Sequence, residues 1–304
     1  MKVLVTGAAG FLGRHVCEAL IESGHDITGM DALPGKAPTG AVVWLDRDVT
    51  RISHDDVPPG IEAVIHMAAI ASPKTCDASP PLAFNVNVNG TYQMLKLAVE
   101  AGAKKFIFVS SAHVYGITPS YMPTDERHPL WPQDTYTVTK ILGERLCQLY
   151  YENHGLSYTT LRLFNVYGPG QALGYFIPDM IAKAEALRDV NADPAGNITL
   201  GGANTVKDFV HVDDAARVFV AAVESPYVGP INIGSGIPVE LGSVLGHIGR
   251  EMRVDVVLNN APSTTRMQSD WSRAKQVLGW EPTMSLEEGL RGTIKSAQTR
   301  HLVP

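Results

Sequence analysis

Residues 1–13 read MKVLVTGAAGFLG, and this stretch limits the fold more than any other part of the chain. A short β-branched run, Lys2–Thr6, stops at Gly7, and an apolar helical pattern starts at Phe11. Gly7, Gly10 and Gly13 follow at three-residue steps. The order is strand, tight glycine turn, helix. Gly7 permits backbone angles that other residues avoid. Gly10 removes the Cβ that would hold an anion away from the helix N-terminus, and Gly13 lets the helix pack closely on the strand. Free N–H groups and the positive end of the helix dipole then face a phosphate. The spacing is G-x-x-G-x-x-G rather than the better known G-x-G-x-x-G. Asp31 closes the next apolar run, Asp26–Met30, about 20 residues on, where a carboxylate meets the ribose hydroxyls of an adenosine. Together the two signals outweigh an ordinary glycine turn and read as a dinucleotide site.

The 304 residues allow one large domain or two modest ones, and 45% apolar residues supply a sizeable core. A net charge of -6 argues against a broad nucleic-acid footprint while leaving room for a local basic pocket. No apolar stretch approaches the ~20 residues that span a bilayer. The N-terminus enters a strand at once, without a signal segment. Cys17, Cys76 and Cys147 are widely spaced and odd in number, which suggests neither a disulfide framework nor a metal site. A reducing cytoplasm is the expected location.

Apolar runs alternate with helical patterns over the first ~165 residues, as in a parallel sheet with helices on both faces. Strands are predicted at Lys2–Thr6, Asp26–Asp31, Val42–Asp46, Ala63–Met67, Lys105–Ser110 and Tyr158–Leu163, and helices at Phe11–Ser23, Leu82–Ala101 and Thr135–Asn153. After Gly168-Pro169-Gly170 the pattern is mixed. Short strands at Ile198–Leu200, Asp208–His211, Pro230–Ile233 and Arg253–Val257 alternate with helices at Phe176–Leu187, Asp213–Glu224, Leu241–Glu251 and Leu286–Thr299; Asp193–Asn197 reads as a turn or surface loop. The expected fold is α/β, a doubly wound parallel sheet (Rossmann) with a smaller mixed α/β C-terminal substrate lobe. Residues 1–168 form the first part and 169–304 mostly the second, with some segments returning to the first.

The second constellation is Tyr136-Thr137-Val138-Thr139-Lys140. Positions four apart share one face of a helix. An ammonium one turn from a phenol is expected to lower its pKa and to make it a general acid or base near neutrality. Upstream, the strand Lys105–Ser110 runs into Ser110-Ser111-Ala112-His113-Val114-Tyr115-Gly116, and active sites of open α/β sheets form at the carboxyl ends of strands. Ser111 is therefore expected to bond the oxygen being oxidised or reduced, beside Tyr136. His113 either reaches a substituent of the substrate or serves as an extra acid or base, or it is a hydrogen-bonded structural histidine. His66 ends a buried strand and is read as structural. His211, before Asp213-Asp214, is read as a helix cap. Lys74 is read as a solvated surface residue.

At this point the chain resembles the extended short-chain dehydrogenase/reductases, in their branch of NAD-dependent nucleotide-sugar epimerases and dehydratases. The motifs run in that family's order along nearly the whole chain. They are TGAAGFLG (6–13), HMAA (66–69), NVNGT (87–91), SSAHVYG (110–116), YTVTK (136–140), RLFNVYGPG (162–170), KDFVHVDD (207–214), NIGSG (232–236) and LGWEP (278–282).

The resemblance implies that Gly7, Gly10, Phe11, Leu12 and Gly13 cradle the pyrophosphate of NAD and that Asp31 holds its adenosine ribose. It also implies that Asp48 and Val49 line the adenine pocket, that Ala68 and Ala69 line the loop over the cofactor, and that Asn87 braces sheet and pocket. Tyr136 and Lys140 would hold the nicotinamide ribose, and Ser111, Tyr136 and Lys140 form the catalytic set. Asn165 matches an asparagine that meets the substrate diphosphate, and Lys207 and Arg266 fall where cations meet substrate phosphates. Three positions depart from the pattern. Lys207 stands for a usual arginine and loses its bidentate fork. Tyr175 stands where a nucleotide-contacting asparagine is common. Ala112-His113 replaces the Asp-Glu pair of 4,6-dehydratases, which counts against that reaction. NAD rather than NADP is expected, because Asp31 repels a 2′-phosphate and Ala32-Leu33 offers no arginine; Lys36 is the nearest cation.

The expected activity is that of a UDP-sugar 4-epimerase, passing through a transient 4-keto sugar. The alternatives are an NAD-dependent sugar or polyol dehydrogenase, a nucleotide-sugar reductase or dehydratase, and, more distantly, a non-catalytic NAD-binding regulatory protein. The expected partner is a nucleotide sugar, without nucleic acid, membrane or metal. A homodimer through Leu82–Ala101 and Thr135–Asn153 is implied by the resemblance.

Overall fold

The computed structural model describes residues 1–32, 43–189, 197–259, 263 and 265–300. Leu33, Lys36, Val42 and residues 193–196 of the sequence reading lie outside them. In chain order the elements are β1 (Lys2–Thr6), α1 (Phe11–Glu22), β2 (Asp26–Asp31), β3 (Val43–Asp46), β4 (Ala63–His66), α2 (Pro73–Ala78), α3 (Pro80–Ala83), α4 (Gly90–Glu100), β5 (Lys105–Ser111) and α5 (Thr135–His154). They continue with β6 (Ser157–Leu163), β7 (Asn165–Tyr167), α6 (Phe176–Asp189), β8 (Asn197–Gly201), β9 (Val206–His211), α7 (Val212–Glu224), β10 (Gly229–Ile233), β11 (Pro238–Glu240), α8 (Leu241–Met252), β12 (Asp255–Asn259), α9 (Ser272–Leu278) and α10 (Leu286–Arg300).

Seven strands form one parallel sheet in the order β10-β6-β5-β4-β1-β2-β3. Such strands are covered on both faces, which is why they read as continuous apolar runs rather than alternating ones. On one face Val3, Val5, Ile27 and Ile65 pack with Val16, Cys17 and Leu20 of α1 and with Val218, Phe219 and Ala222 of α7. On the other, Leu4, Met30, Val64, Phe106 and Phe108 pack with Met94, Leu95 and Ala98 of α4 and Cys147 and Tyr150 of α5. The strand order reverses between β1 and β4, and in this architecture ligands settle above the carboxyl ends of the strands at such a switch point. The register sets Thr6 opposite both Met30 and His66, while β5 runs on to Ser111 beside Leu163.

A third core gathers Ile177, Met180 and Ala184 of α6, Val244, Leu245 and Ile248 of α8, and Leu290 and Ile294 of α10. Two small sheets accompany it, β11-β9-β7 and β12-β8. Among the described residues no helix is long and apolar enough to cross a membrane. All three cysteines are buried and free.

Two expectations need correction. The helix expected over 82–101 is not continuous. Pro80 and Pro81 start a short helix, Phe84–Asn89 is wound as a π-helix, and α4 begins only at Gly90. The strand expected at Arg253–Val257 starts later, because Arg253 takes the left-handed conformation (φ 58°) that ends α8.

Candidate active site

The glycine turn has little freedom. Gly7 sits at φ +72°, and a Cβ there would come within 2.9 Å of the Ala68 nitrogen. A Cβ on Gly13 would lie 2.1 Å from the Gly7 carbonyl oxygen. At Gly10 it would meet only that oxygen, at 3.1 Å. Gly10 is the N-cap of α1 and has no side chain to close the helix end, and the first turn carries no acidic residue. Phe11 and Leu12 open the helix. Asp31, at the end of β2, accepts a hydrogen bond from the Ala9 nitrogen at 3.1 Å, which ties the carboxylate to the glycine loop. An uncapped helix end behind a floor of Cβ-free residues, with a carboxylate at the neighbouring strand end, fits a dinucleotide. Asp48 accepts from the Thr50 backbone N–H and hydroxyl, both at 2.9 Å, and buried Val49 presses against Gly90.

A proton-ordered chain fixes the loop after β4. The Thr6 hydroxyl accepts from the Met67 and Ala68 nitrogens at 3.2 and 3.1 Å, so its own proton goes to His66 Nδ1 at 2.9 Å. His66 Nε2 then donates to the Thr91 hydroxyl at 3.1 Å, which donates to the Asn87 carbonyl at 2.6 Å. Burial, helped by the Lys140 charge, lowers the His66 pKa to about 3, so the ring stays neutral and structural, as the sequence suggested. Asn87, in the π-helical turn, accepts from the Ile70 nitrogen at 2.8 Å and donates to the Ile70 carbonyl and to the Thr139 hydroxyl. It thereby braces the loop carrying Ala68 and Ala69 against α5.

Tyr136, Lys140 and Ser111 come together over the end of β5. Asp134 caps α5 by accepting from the Thr137 nitrogen at 2.7 Å, which fixes the first turn on which Tyr136 stands. The Tyr136 phenol faces the Ser111 side chain. Lys140 Nζ donates to the Val109 carbonyl at 2.8 Å and lies 5.7 Å from the Tyr136 ring centre. The expected depression of the Tyr136 pKa is reversed here. Burial outweighs the favourable influence of Ser111 and holds the phenol above its ordinary value, while burial also brings Lys140 down to about 8. The reason is that desolvation disfavours both charges at once. Cys76, Ala83 and Ile70 close the apolar side of Tyr136.

Burial first, then the Lys207 charge, lowers the His113 pKa to about 4. Lys207 reaches Met267 Sδ at 3.6 Å. Exposed Tyr175 lies near enough to act electrostatically on Tyr136. Asn165 donates to the Asp208 carbonyl at 2.8 Å. Exposed Arg266 stands beside Val206 through a single main-chain bridge. His211 accepts from the Asp213 nitrogen and caps α7, as expected.

The sequence reading missed three residues that hold this arrangement. Thr6 and Thr139 position the loop and α5. Asp208, fully buried, accepts from Ser235, Gly236 and Ser269 and pins two loops beside the cleft. Each lies inside or beside a motif already singled out, which was the available signal.

Residues 3–234 match the family described as NAD-dependent epimerase/dehydratase. A UDP-glucose 4-epimerase of Mycolicibacterium smegmatis is 31% identical over 316 residues, covering 97% of this chain and 98% of its own. UDP-glucuronic acid decarboxylase 1 of Arabidopsis thaliana is 29% identical, covering 99% of this chain and 71% of its own. The structure of a UDP-glucuronic acid 4-epimerase from Bacillus cereus, in complex with UDP-glucuronic acid and NAD, superposes with a TM-score of 0.84 at 29% identity, covering 99% of this chain and 100% of that one. The chain belongs to the NAD-dependent epimerase/dehydratase family, within the extended short-chain dehydrogenase/reductases.

Proposed function

We propose that this chain is an NAD-dependent nucleotide-sugar epimerase acting at C4. The observation that carries the reading is the convergence of Ser111 and Tyr136 at the end of β5, with Lys140 one turn further along α5. In this reading the glycine turn, Asp31, Asp48, Val49, Ala68, Ala69 and Asn87 hold NAD, and Asn165, Tyr175, Lys207 and Arg266 hold the substrate. Bound NAD supplies the redox chemistry, taking hydride from the sugar carbon and returning it. Ser111 orients the sugar hydroxyl. Tyr136 takes the hydroxyl proton as C4 is oxidised and gives it back when the keto sugar is reduced on its other face. Lys140, whose pKa burial lowers to about 8 and whose ammonium stands 5.7 Å from the Tyr136 ring centre, is the cation that would offset the phenolate. Ala112 and His113 in place of an acidic pair support epimerisation over water elimination.

Residues 1–168 are read as the NAD-binding part and 169–304 as mostly the substrate lobe, with the cleft between them as the site. Exposed Tyr92 on α4 and Leu142 and Leu149 on α5 support a homodimer through these two helices.

The test is to incubate the protein with UDP-glucose and UDP-glucuronate and follow both NADH absorbance and the sugar by NMR. Epimerisation gives the C4 epimer with no net NADH. Steady NADH accumulation refutes it in favour of a dehydrogenase, and a pentose or a deoxy-keto product refutes it in favour of a decarboxylase or dehydratase.

A further inference from the structure

Glu144 is a buried carboxylate that takes no part in the proton transfer proposed for Tyr136. It stands on α5 four residues beyond Lys140, on the same helix face and one turn further from Tyr136. Both its oxygens are held. Oε1 accepts from the Ser110 hydroxyl at 2.6 Å and from Arg162 Nε at 3.0 Å, and Oε2 accepts from Arg162 Nη2 at 2.6 Å. Arg162 lies opposite Ser110 in the pairing of β5 with β6. Its Nη1 donates to the Tyr115 hydroxyl at 2.9 Å, and that hydroxyl donates to Asn232 at 2.7 Å. The carboxylate is thereby tied to β5, to β6, to the turn that follows Ser111 and to β10. A buried ion pair adds little stability over well-packed apolar side chains of similar volume.

Lys140 gives the pair a second use. Its ammonium is buried and donates to the Val109 carbonyl, with the centres of the Phe108 and Tyr136 rings 5.2 and 5.7 Å away. Burial works against the charged form of this lysine, and Cys76 and Glu144 work for it. Tyr136 of α5 and Cys76 of α2 are kept neutral, because burial raises the pKa of both. His66 of β4, with a pKa of about 3, is neutral as well. Glu144 is left as the anion among these groups, with Arg162 of β6 as its own counter-ion. In dry surroundings a charge one helical turn away acts strongly.

We propose that Glu144, clamped by Ser110 and Arg162, is a positioning residue that keeps Lys140 in its ammonium form beside Tyr136. The clamp holds the carboxylate one turn off, so it acts on the ammonium without pulling it from the Val109 carbonyl. The proposal rests on the role given above to Lys140, as the cation that offsets the Tyr136 phenolate, and names the group that maintains that cation.

The protonation of Lys140 is read directly by NMR of protein carrying carbon-13 at the lysine Cε, with the Lys140 signal identified by its absence in Lys140→Met. The wild type, Glu144→Gln and the double variant Glu144→Gln with Arg162→Met are titrated, and turnover of UDP-glucose and UDP-glucuronate is followed over the same pH range. The wild-type midpoint is expected at about 8. Glu144→Gln is expected to lower it by about one unit or more, because the carboxylate goes and the guanidinium remains. The double variant, which strands no charge, is expected to lower it by less. In both, kcat is expected to fall at a correspondingly lower pH, because activity is lost as Lys140 gives up its proton. A purely structural role for the pair predicts a changed melting temperature with the midpoint unmoved, and that result overturns the proposal. Should Glu144→Gln not fold, the double variant decides by the same criterion; unfolding of both assigns the pair to the fold alone and overturns the proposal as well. If the wild type turns over neither nucleotide sugar, the proposed reaction fails, while the titration still decides the role of Glu144.

Discussion

Two glycines three residues apart are expected to fail in different ways when each receives a methyl group. In Gly13→Ala the new Cβ would lie 2.1 Å from the Gly7 oxygen and 2.9 Å from the Ala8 Cα. Both are backbone atoms, so no side chain can rotate away and α1 must move off β1. Overpacking of this kind costs about 1–3 kcal/mol or more, out of a typical total near 5–15. A drop of several degrees in melting temperature is expected without any ligand. In Gly10→Ala the Cβ meets only the Gly7 oxygen, at 3.1 Å, and the backbone (φ -68°, ψ 172°) is open to any residue. The loss there is that of a poorer N-cap, below about 1 kcal/mol. The methyl group nevertheless fills the space over the helix end. Pushing a phosphate out of reach of one or two N–H groups costs about 1.5–3 kcal/mol each, roughly tenfold or more in NAD affinity. Melting curves with and without NAD, together with calorimetric titration, separate the two effects. If Gly10→Ala binds NAD like the wild type, the glycine turn is not the pyrophosphate site; if Gly13→Ala melts like the wild type, the packing argument is wrong.

Tyr136→Phe is expected to lower kcat by about 10²–10⁴ while leaving folding and NAD binding nearly unchanged, because one hydroxyl is removed and the ring stays. Retention of more than about a tenth of the wild-type kcat would falsify its role as the acid/base. His15 Nδ1 faces Asp213 Oδ1 at 3.1 Å and Nε2 faces the Pro169 carbonyl at 3.0 Å, so both ring nitrogens must donate. Burial alone would lower its pKa, but the Asp213 and Pro169 bonds outweigh burial and raise it above 6.5. The clamp from α1 to α7 then stabilises the fold in full below pH 6.5 and is lost as pH rises through the higher folded value. Melting temperatures of the wild type and His15→Gln should therefore converge with rising pH, and a gap that stays constant or widens refutes the assignment. Asp31 should make NAD bind more tightly than NADP in parallel titrations, and the reverse order would remove its proposed ribose role.

The parallel sheet was legible because its strands are buried on both faces and end in sharp signals, as β1 does at Gly7. Elements built by tertiary contact were harder to read. β7 and β11 have three residues each, too short for any periodicity, and exist because both pair with β9. The break within 82–101 follows from a π-helical turn that aims Asn87 at Ile70 and Thr139, a demand no local pattern announces. A local signal for α2 was present: Ser72 caps it and Pro73 opens it. The Tyr–Lys pair was visible from its spacing, but its electrostatics were not, since spacing says nothing about how dry the site is. Asp208 escaped as a hub because its partners lie 27, 28 and 61 residues away.

The outermost strand beside β6 is β10, drawn from residues 229–233, and α7 of the later chain shares with α1 the covering of one sheet face. A fragment stopping at residue 168 would therefore keep a raw sheet edge along β6 and an uncovered apolar face where Val218, Phe219 and Ala222 belong. Such a piece is expected to aggregate rather than to survive as a free-standing nucleotide-binding module. The two portions are interlaced, so this architecture cannot change its chemistry by trading one portion for another gene's. New specificity has to be written into the loops above the strand ends, one side chain at a time.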